Sequence, residues 1–97
     1  MIQIQFKEWT CMLSFAKYSN GRTAITLSDF EDYMPIAKAT VNIPEAHLED
    51  DEVLIKDWSE NEGIYQALVK AGVISKLIET VPSGYADAFK CKLLKRE

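Results

Sequence analysis

The stretch Trp9-Thr10-Cys11-Met12-Leu13-Ser14-Phe15-Ala16-Lys17-Tyr18-Ser19-Asn20-Gly21-Arg22-Thr23-Ala24-Ile25-Thr26-Leu27 decides the fold, because its register follows from side-chain chemistry. Cys11, Leu13 and Phe15 alternate with polar or small neighbours, the period of a half-buried strand. A two-residue loop would set Phe15 opposite Thr26 and Leu13 opposite Ser28. A three-residue loop, Ser19-Asn20-Gly21, sets Phe15 opposite Ile25 and Leu13 opposite Leu27, which gathers the apolar side chains on one face. The longer loop is therefore expected, with Gly21 supplying the positive φ that its bulge requires.

Upstream, Ile2, Ile4 and Phe6 alternate with Gln3 and Gln5, and Lys7-Glu8 turns this run into a hairpin with the next. Downstream, the turn-rich Asp29 to Pro35 leads to a fourth alternating run, Ala37 to Ile43. Pro44 ends it because proline cannot donate to a ladder. Val53-Leu54-Ile55 is apolar on both faces and suits a buried strand. Ser59 and Glu62 have the spacing of a capping box, which predicts a helix over about 60–71 with Ile64, Ala67, Leu68 and Ala71 on its apolar stripe. Gly72 before Val73 fits a left-handed C-terminal cap. Two further strand-like runs, Leu77 to Val81 and Ala88 to Leu94, bracket Pro82-Ser83-Gly84, and Lys90 and Lys92 form a basic outer stripe. The expected fold is a single α+β domain over residues 1–97: an antiparallel β-meander of six or seven strands with one main helix.

Composition narrows the chemistry. No run approaches the roughly 18 uncharged apolar residues of a membrane helix, and the first residues lack a signal-peptide pattern, so a cytoplasmic protein with no membrane partner is expected. Cys11 and Cys91 sit in alternating apolar runs without metal-ligand spacing and read as reduced core residues. His47, the one histidine, has no nucleophile-elbow Ser or Cys to partner it, and the four glycines show no phosphate-binding spacing. Glu49-Asp50-Asp51-Glu52 lacks the spaced ligands that wrap a chain around calcium. These patterns give no catalytic residue, no metal and no cofactor, so the expectation is a protein that is not an enzyme. Direct nucleic-acid binding is opposed by an isoelectric point near 5.0.

What remains is charge. Between residues 29 and 62 stand eleven acidic residues against Lys38 and Lys56, a local charge of −9, while the other 63 residues hold nine Lys and Arg against four acids. Carboxylates two residues apart on an extended strand lie roughly 6.6 Å apart, of the order of neighbouring phosphates on a nucleic-acid strand. Asp29, Glu31 and Asp32, with Glu49, Asp50, Asp51 and Glu52, therefore read as two rows that imitate phosphates, converging on one face toward a basic groove. Phe30 and Tyr33 would add apolar or stacking contacts inside that frame.

Val53-Leu54-Ile55-Lys56-Asp57-Trp58-Ser59-Glu60-Asn61-Glu62-Gly63, with Tyr18 to Arg22 upstream and Thr80 to Gly84 downstream, resembles a family of small uncharacterised proteins carried by phages and plasmids. In length and acidity the chain also resembles the phage anti-CRISPR proteins that imitate duplex DNA. That resemblance implies a partner, the basic target-DNA groove on the Cas8 and Cas7 subunits of a type I-F (Csy) surveillance complex, and inhibition by exclusion of DNA without chemistry. The alternative is a structural or adaptor domain that pairs a sheet edge with a partner protein, using the long second strand Trp9 to Lys17.

Overall fold

The alternation of the first 30 residues folds as the side chains dictate. In the structure, a computed structural model that describes residues 2–96, β1 (Gln3–Phe6), β2 (Trp9–Lys17), β3 (Thr23–Asp29) and β4 (Pro35–Lys38) form a four-stranded antiparallel meander. Leu13 faces Leu27 and Phe15 faces Ile25, the register expected from the three-residue loop. Tyr18 N–H donates to the Arg22 carbonyl at 2.8 Å to close that loop, and Gly21 has φ +85°. Burying Ile4, Phe6, Cys11, Leu13, Ile25 and Leu27 on one face fixes the register, because a slip of one residue would turn all of them to water.

The second sheet departs from a meander. β5 (Glu52–Ile55), β6 (Glu79–Ser83) and β7 (Ala86–Lys92) are antiparallel in the order β5-β7-β6, with the helix on the connection between β5 and β6. All three apolar residues of β5 are buried, as its composition suggested. Pro82 lies inside β6 rather than beyond it, and an edge strand tolerates this because one side of its backbone needs no N–H donors. The fourth run also ends earlier than its alternation implied. After Lys38 the chain leaves β3 and stitches the two sheets together: Ala39 N–H donates to Ile25 O, while Val41 and Lys56 N–H groups link it to β5. Thr40 secures the crossing, its buried Oγ1 accepting from Ile25 N–H at 3.1 Å and lying 2.9 Å from the Tyr18 hydroxyl.

The predicted helix over 60–71 is present as two pieces, a 3-10 turn Ser59–Asn61 and α1 (Ile64–Lys70). The capping box does not form. Ser59 has φ +56° and its side chain makes no cap bond, while Gly63 at φ +98° separates the pieces. Asn61 is the reason: its buried amide donates to the carbonyls of Lys38 (2.7 Å) and Lys56 (3.1 Å), which holds the turn against the sheet junction and prevents a continuous helix. Asp57 takes over the cap, its Oδ1 accepting from Gly63 N–H at 3.1 Å and Tyr65 N–H at 2.8 Å. At the other end the expected cap is present, with Gly72 at φ +73° and Val73 N–H donating back to Leu68 O at 3.0 Å. Ile64 and Leu68 of α1 close the core with Val53, Ile55, Val73, Ile74, Cys91 and Leu93.

Candidate functional site

Each acidic loop acquires its shape from its own backbone hydrogen bonds. The β3–β4 turn closes by Asp29 N–H to Met34 O at 2.8 Å and Tyr33 N–H to Asp29 O at 2.9 Å, with Tyr33 in the left-handed region at φ +63°. Two carboxylates brace the turn: Asp29 Oδ1 accepts from Glu31 N–H at 2.8 Å, and Asp32 Oδ1 from Met34 N–H at 3.0 Å. The turn thereby projects Phe30, Tyr33 and Met34 into solvent, at 42%, 65% and 59% exposure. Exposed apolar side chains of that size, grouped on one turn, mark a surface suited to contact. Glu8, from the β1–β2 turn, joins Asp29, Glu31 and Phe30 around a shallow depression with Gln3, Trp9 and Thr10. Sequence reasoning missed both Glu8 and Met34, since only the pairing of Phe6 with Trp9 and of Cys11 with Asp29 brings the two turns to the same end of the sheet. Among the described residues, none of Glu8, Asp29, Glu31 and Asp32 forms an ion pair.

The second acidic loop lies elsewhere. Glu49, Asp50 and Glu52 line a cleft with Asn20 and Gly21, at the hairpin turn of β2 and β3, whereas Asp29 lies at the far end of β3. Seven residues of extended strand separate the two ends by roughly 20 Å. The two rows therefore do not merge into one patch. Their electrostatic settings also differ. Lys17, Arg22 and Arg96 line the same cleft as Glu49, Asp50 and Glu52, and Lys92 Nζ stands 3.5 Å from Asp51 Oδ2. His47 Nε2 lies 3.9 Å from Glu49, and Glu52 turns inward to accept from Glu49 N–H at 2.9 Å. The loop is thus interleaved with the molecule's own cations.

A strap explains this placement. Arg22 donates from Nη1 to Ile43 O at 2.7 Å and from Nη2 to Ala46 O, and Asn20 Nδ2 donates to Asn42 Oδ1 at 3.1 Å. These bonds tie the segment before Glu49 to the β2–β3 turn. Lys90, expected on a solvated stripe, is 7% exposed instead. Its Nζ makes a 2.6 Å ion pair with Glu79 on β6, the adjacent strand. That hydrogen bond holds the Glu79 carboxyl below its ordinary range and, despite partial desolvation, raises the Lys90 ammonium above its own.

The remaining candidates resolve simply. Cys11 and Cys91 are free and buried, and burial pushes the Cys91 thiol up to about 12. Burial, then the Asp29 charge, raises Cys11 as well. Among the described residues no group of three or more His, Cys, Asp or Glu is placed to hold a metal ion, and no helix is long and apolar enough to cross a membrane. The long strand proposed as an edge, Trp9–Lys17, is interior only in its first half, where β1 pairs with Trp9 to Met12 and β3 lies on the other side; among the described residues, Ser14 to Lys17 pair with β3 alone. No family model matches the chain, and neither a curated protein nor a solved structure matches it.

Proposed function

We propose that this protein is a non-enzymatic inhibitor that docks an acidic surface in a basic, DNA-binding groove of a partner protein. The observation that carries the reading is the β3–β4 turn, where Asp29, Glu31 and Asp32 surround exposed Phe30 and Tyr33 without a cation paired to them among the described residues. Arginine side chains that fork onto phosphate oxygens accept carboxylates in the same geometry, so such a turn competes with DNA for them. The aromatic side chains supply the desolvated centre that charge alone lacks. On the resemblance to phage anti-CRISPR proteins, the partner is the target-DNA groove of a type I-F surveillance complex, on its Cas8 and Cas7 subunits, in the cytoplasm of the bacterial host. Glu49 to Glu52 takes the secondary place here, since its charge is partly met by Lys92 and its neighbours.

The test is displacement of labelled target duplex from the purified surveillance complex at several salt concentrations. Wild type is expected to displace DNA less well as salt rises, because exposed charges are screened over roughly 8 to 10 Å near physiological ionic strength. Glu31→Lys with Asp32→Lys is expected to abolish displacement, and Asp50→Lys with Asp51→Lys to weaken it less. Displacement that ignores both double variants refutes the assignment. A second reading, an adaptor that pairs a sheet edge with a partner, is favoured by β6, an edge strand flanked by exposed Ile78 and Tyr85. Binding abolished by Thr80→Pro and indifferent to salt identifies that case.

A further inference from the structure

The acidic segment 29–62 holds two cations, Lys38 and Lys56, and both line one cavity. This cavity, of about 410 Å³, lies where the two sheets join, between β4, the crossing segment Thr40 to Asn42 and the 3-10 turn Ser59–Asn61. Its volume falls in the range of small-molecule sites, and Ile36, Ala37 and Val41 give it an apolar wall. Asn61 ties the two lysine-bearing segments together beside it, donating to the carbonyls of both Lys38 and Lys56. Neither acidic loop contributes to the lining.

Three donors at this cavity have no acceptor among the described residues. The buried Thr40 Oγ1 accepts from Ile25 N–H at 3.1 Å, and the acceptor within reach of its own hydrogen is the Tyr18 oxygen, 2.9 Å away. Burial penalises an unmade O–H, so Thr40 donates to Tyr18 and the hydrogen of the Tyr18 hydroxyl is left over. Asn20 Oδ1 accepts from Arg22 N–H at 3.3 Å, which turns Asn20 Nδ2 toward Asn42 Oδ1 at 3.1 Å. Asn42 Nδ2 is therefore the second donor. The third is Lys38, which forms no ion pair among the described residues and rests 5.7 Å from the centroid of the Tyr18 ring. Lys56, by contrast, is bonded to Glu60 Oε1 at 2.9 Å, so the Lys38 charge alone is unmatched.

We infer that this cavity binds a small organic carboxylate, a monoanion with a compact apolar body. Unspent donors call for a ligand rich in acceptors, and a carboxylate brings two oxygens with about four lone-pair sites. Charge sets the valence. One unmatched ammonium attracts a single negative charge, whereas a dianion such as hydrogen phosphate would bring its second charge against Glu60. The charge-assisted bond from Lys38 is the strongest of these contacts, and the apolar wall takes the rest of the molecule.

Benzoate is the probe, with its neutral isostere benzamide and inorganic phosphate beside it, each titrated into the purified chain at millimolar concentration and followed by amide NMR. Benzoate is expected to shift the amides of residues 36–42 and 56–61 saturably, benzamide to bind about tenfold more weakly, and phosphate to leave them in place. Lys38→Met, at an exposed position, is expected to weaken benzoate about tenfold with the rest of the spectrum unchanged. Tyr18→Phe removes the leftover hydrogen and is expected to weaken it severalfold. No saturable shift with benzoate, equal binding of benzamide, or benzoate binding unchanged in either variant overturns the inference. Phosphate binding in place of benzoate also overturns it.

Discussion

Replacing Asp57 with alanine should destabilise the protein more than any change at Ser59, although Ser59 occupies the capping-box position. Asp57 Oδ1 accepts from two backbone N–H groups, Gly63 and Tyr65, across the break before α1. Removing a helix cap typically costs about 0.5 to 2 kcal/mol, and with two bonds lost we expect about 1.5 kcal/mol. For a domain of this size that corresponds to a fall in Tm of about 6 to 12 °C. Asp57→Asn keeps an acceptor oxygen and should recover about half the loss. Ser59 makes no cap bond and sits at φ +56°, so Ser59→Ala should change little and Ser59→Gly should stabilise by up to about 1 kcal/mol. Urea unfolding followed by circular dichroism at 222 nm measures all four variants on one scale. If Ser59→Ala costs as much as Asp57→Ala, the first turn is capped as its sequence spacing suggests, and the two-piece helix is wrong.

Arg22→Ala removes two charge-assisted bonds to the carbonyls of Ile43 and Ala46 and should cost about 2 to 3 kcal/mol, with faster hydrogen exchange confined at first to residues 42–49. Because Lys90 depresses the Glu79 carboxyl, that contribution is complete above about pH 4.3 and disappears as pH falls through the lower folded value; Lys90→Met should flatten this part of the stability–pH curve. The raised Lys90 group gives the mirror case, complete below about pH 10.4 and lost as pH rises through its higher folded value. Thiol-specific labelling at mildly alkaline pH should leave Cys91 unmodified in the folded protein and modify it in urea; rapid labelling without denaturant would contradict its burial.

What was legible in the sequence divides along the range of the interactions involved. The β2–β3 register was legible because it depends on neighbours across a single turn, and only one loop length brings Leu13 to Leu27. Gly72 was legible for the same reason, being the local stop of a local element. The first turn of the helix was misread because a short-range signal, Ser59 and Glu62, competes with Asn61, whose partners Lys38 and Lys56 lie on other elements. Gly63 was the available clue, since a glycine inside a supposed helix favours a break. Lys90 was misread by alternation alone. Its outward register is real, yet Glu79 across the strand pair satisfies the ammonium where the sheet is otherwise covered. Neither long-range fact leaves a periodic mark in the chain.

The acidic residues show why composition could find candidates without arranging them. Net charge over a segment measures how many carboxylates are present, while binding depends on which remain unmatched after folding. Folding sorts the two loops by this criterion. Arg22 ties the strap to the β2–β3 turn, which brings Glu49, Asp50 and Glu52 beside Lys17 and Arg96, whereas the hairpin register carries Asp29, Glu31 and Asp32 to the opposite end beside Glu8. Attraction to an outside cation is reduced wherever an inside one lies within a few ångströms, and is retained where none does. Reversing Lys92 should strengthen attraction to a cationic surface at the Glu49 loop, while reversing Glu8, which lies outside the acidic segment altogether, should weaken it at the β3–β4 turn.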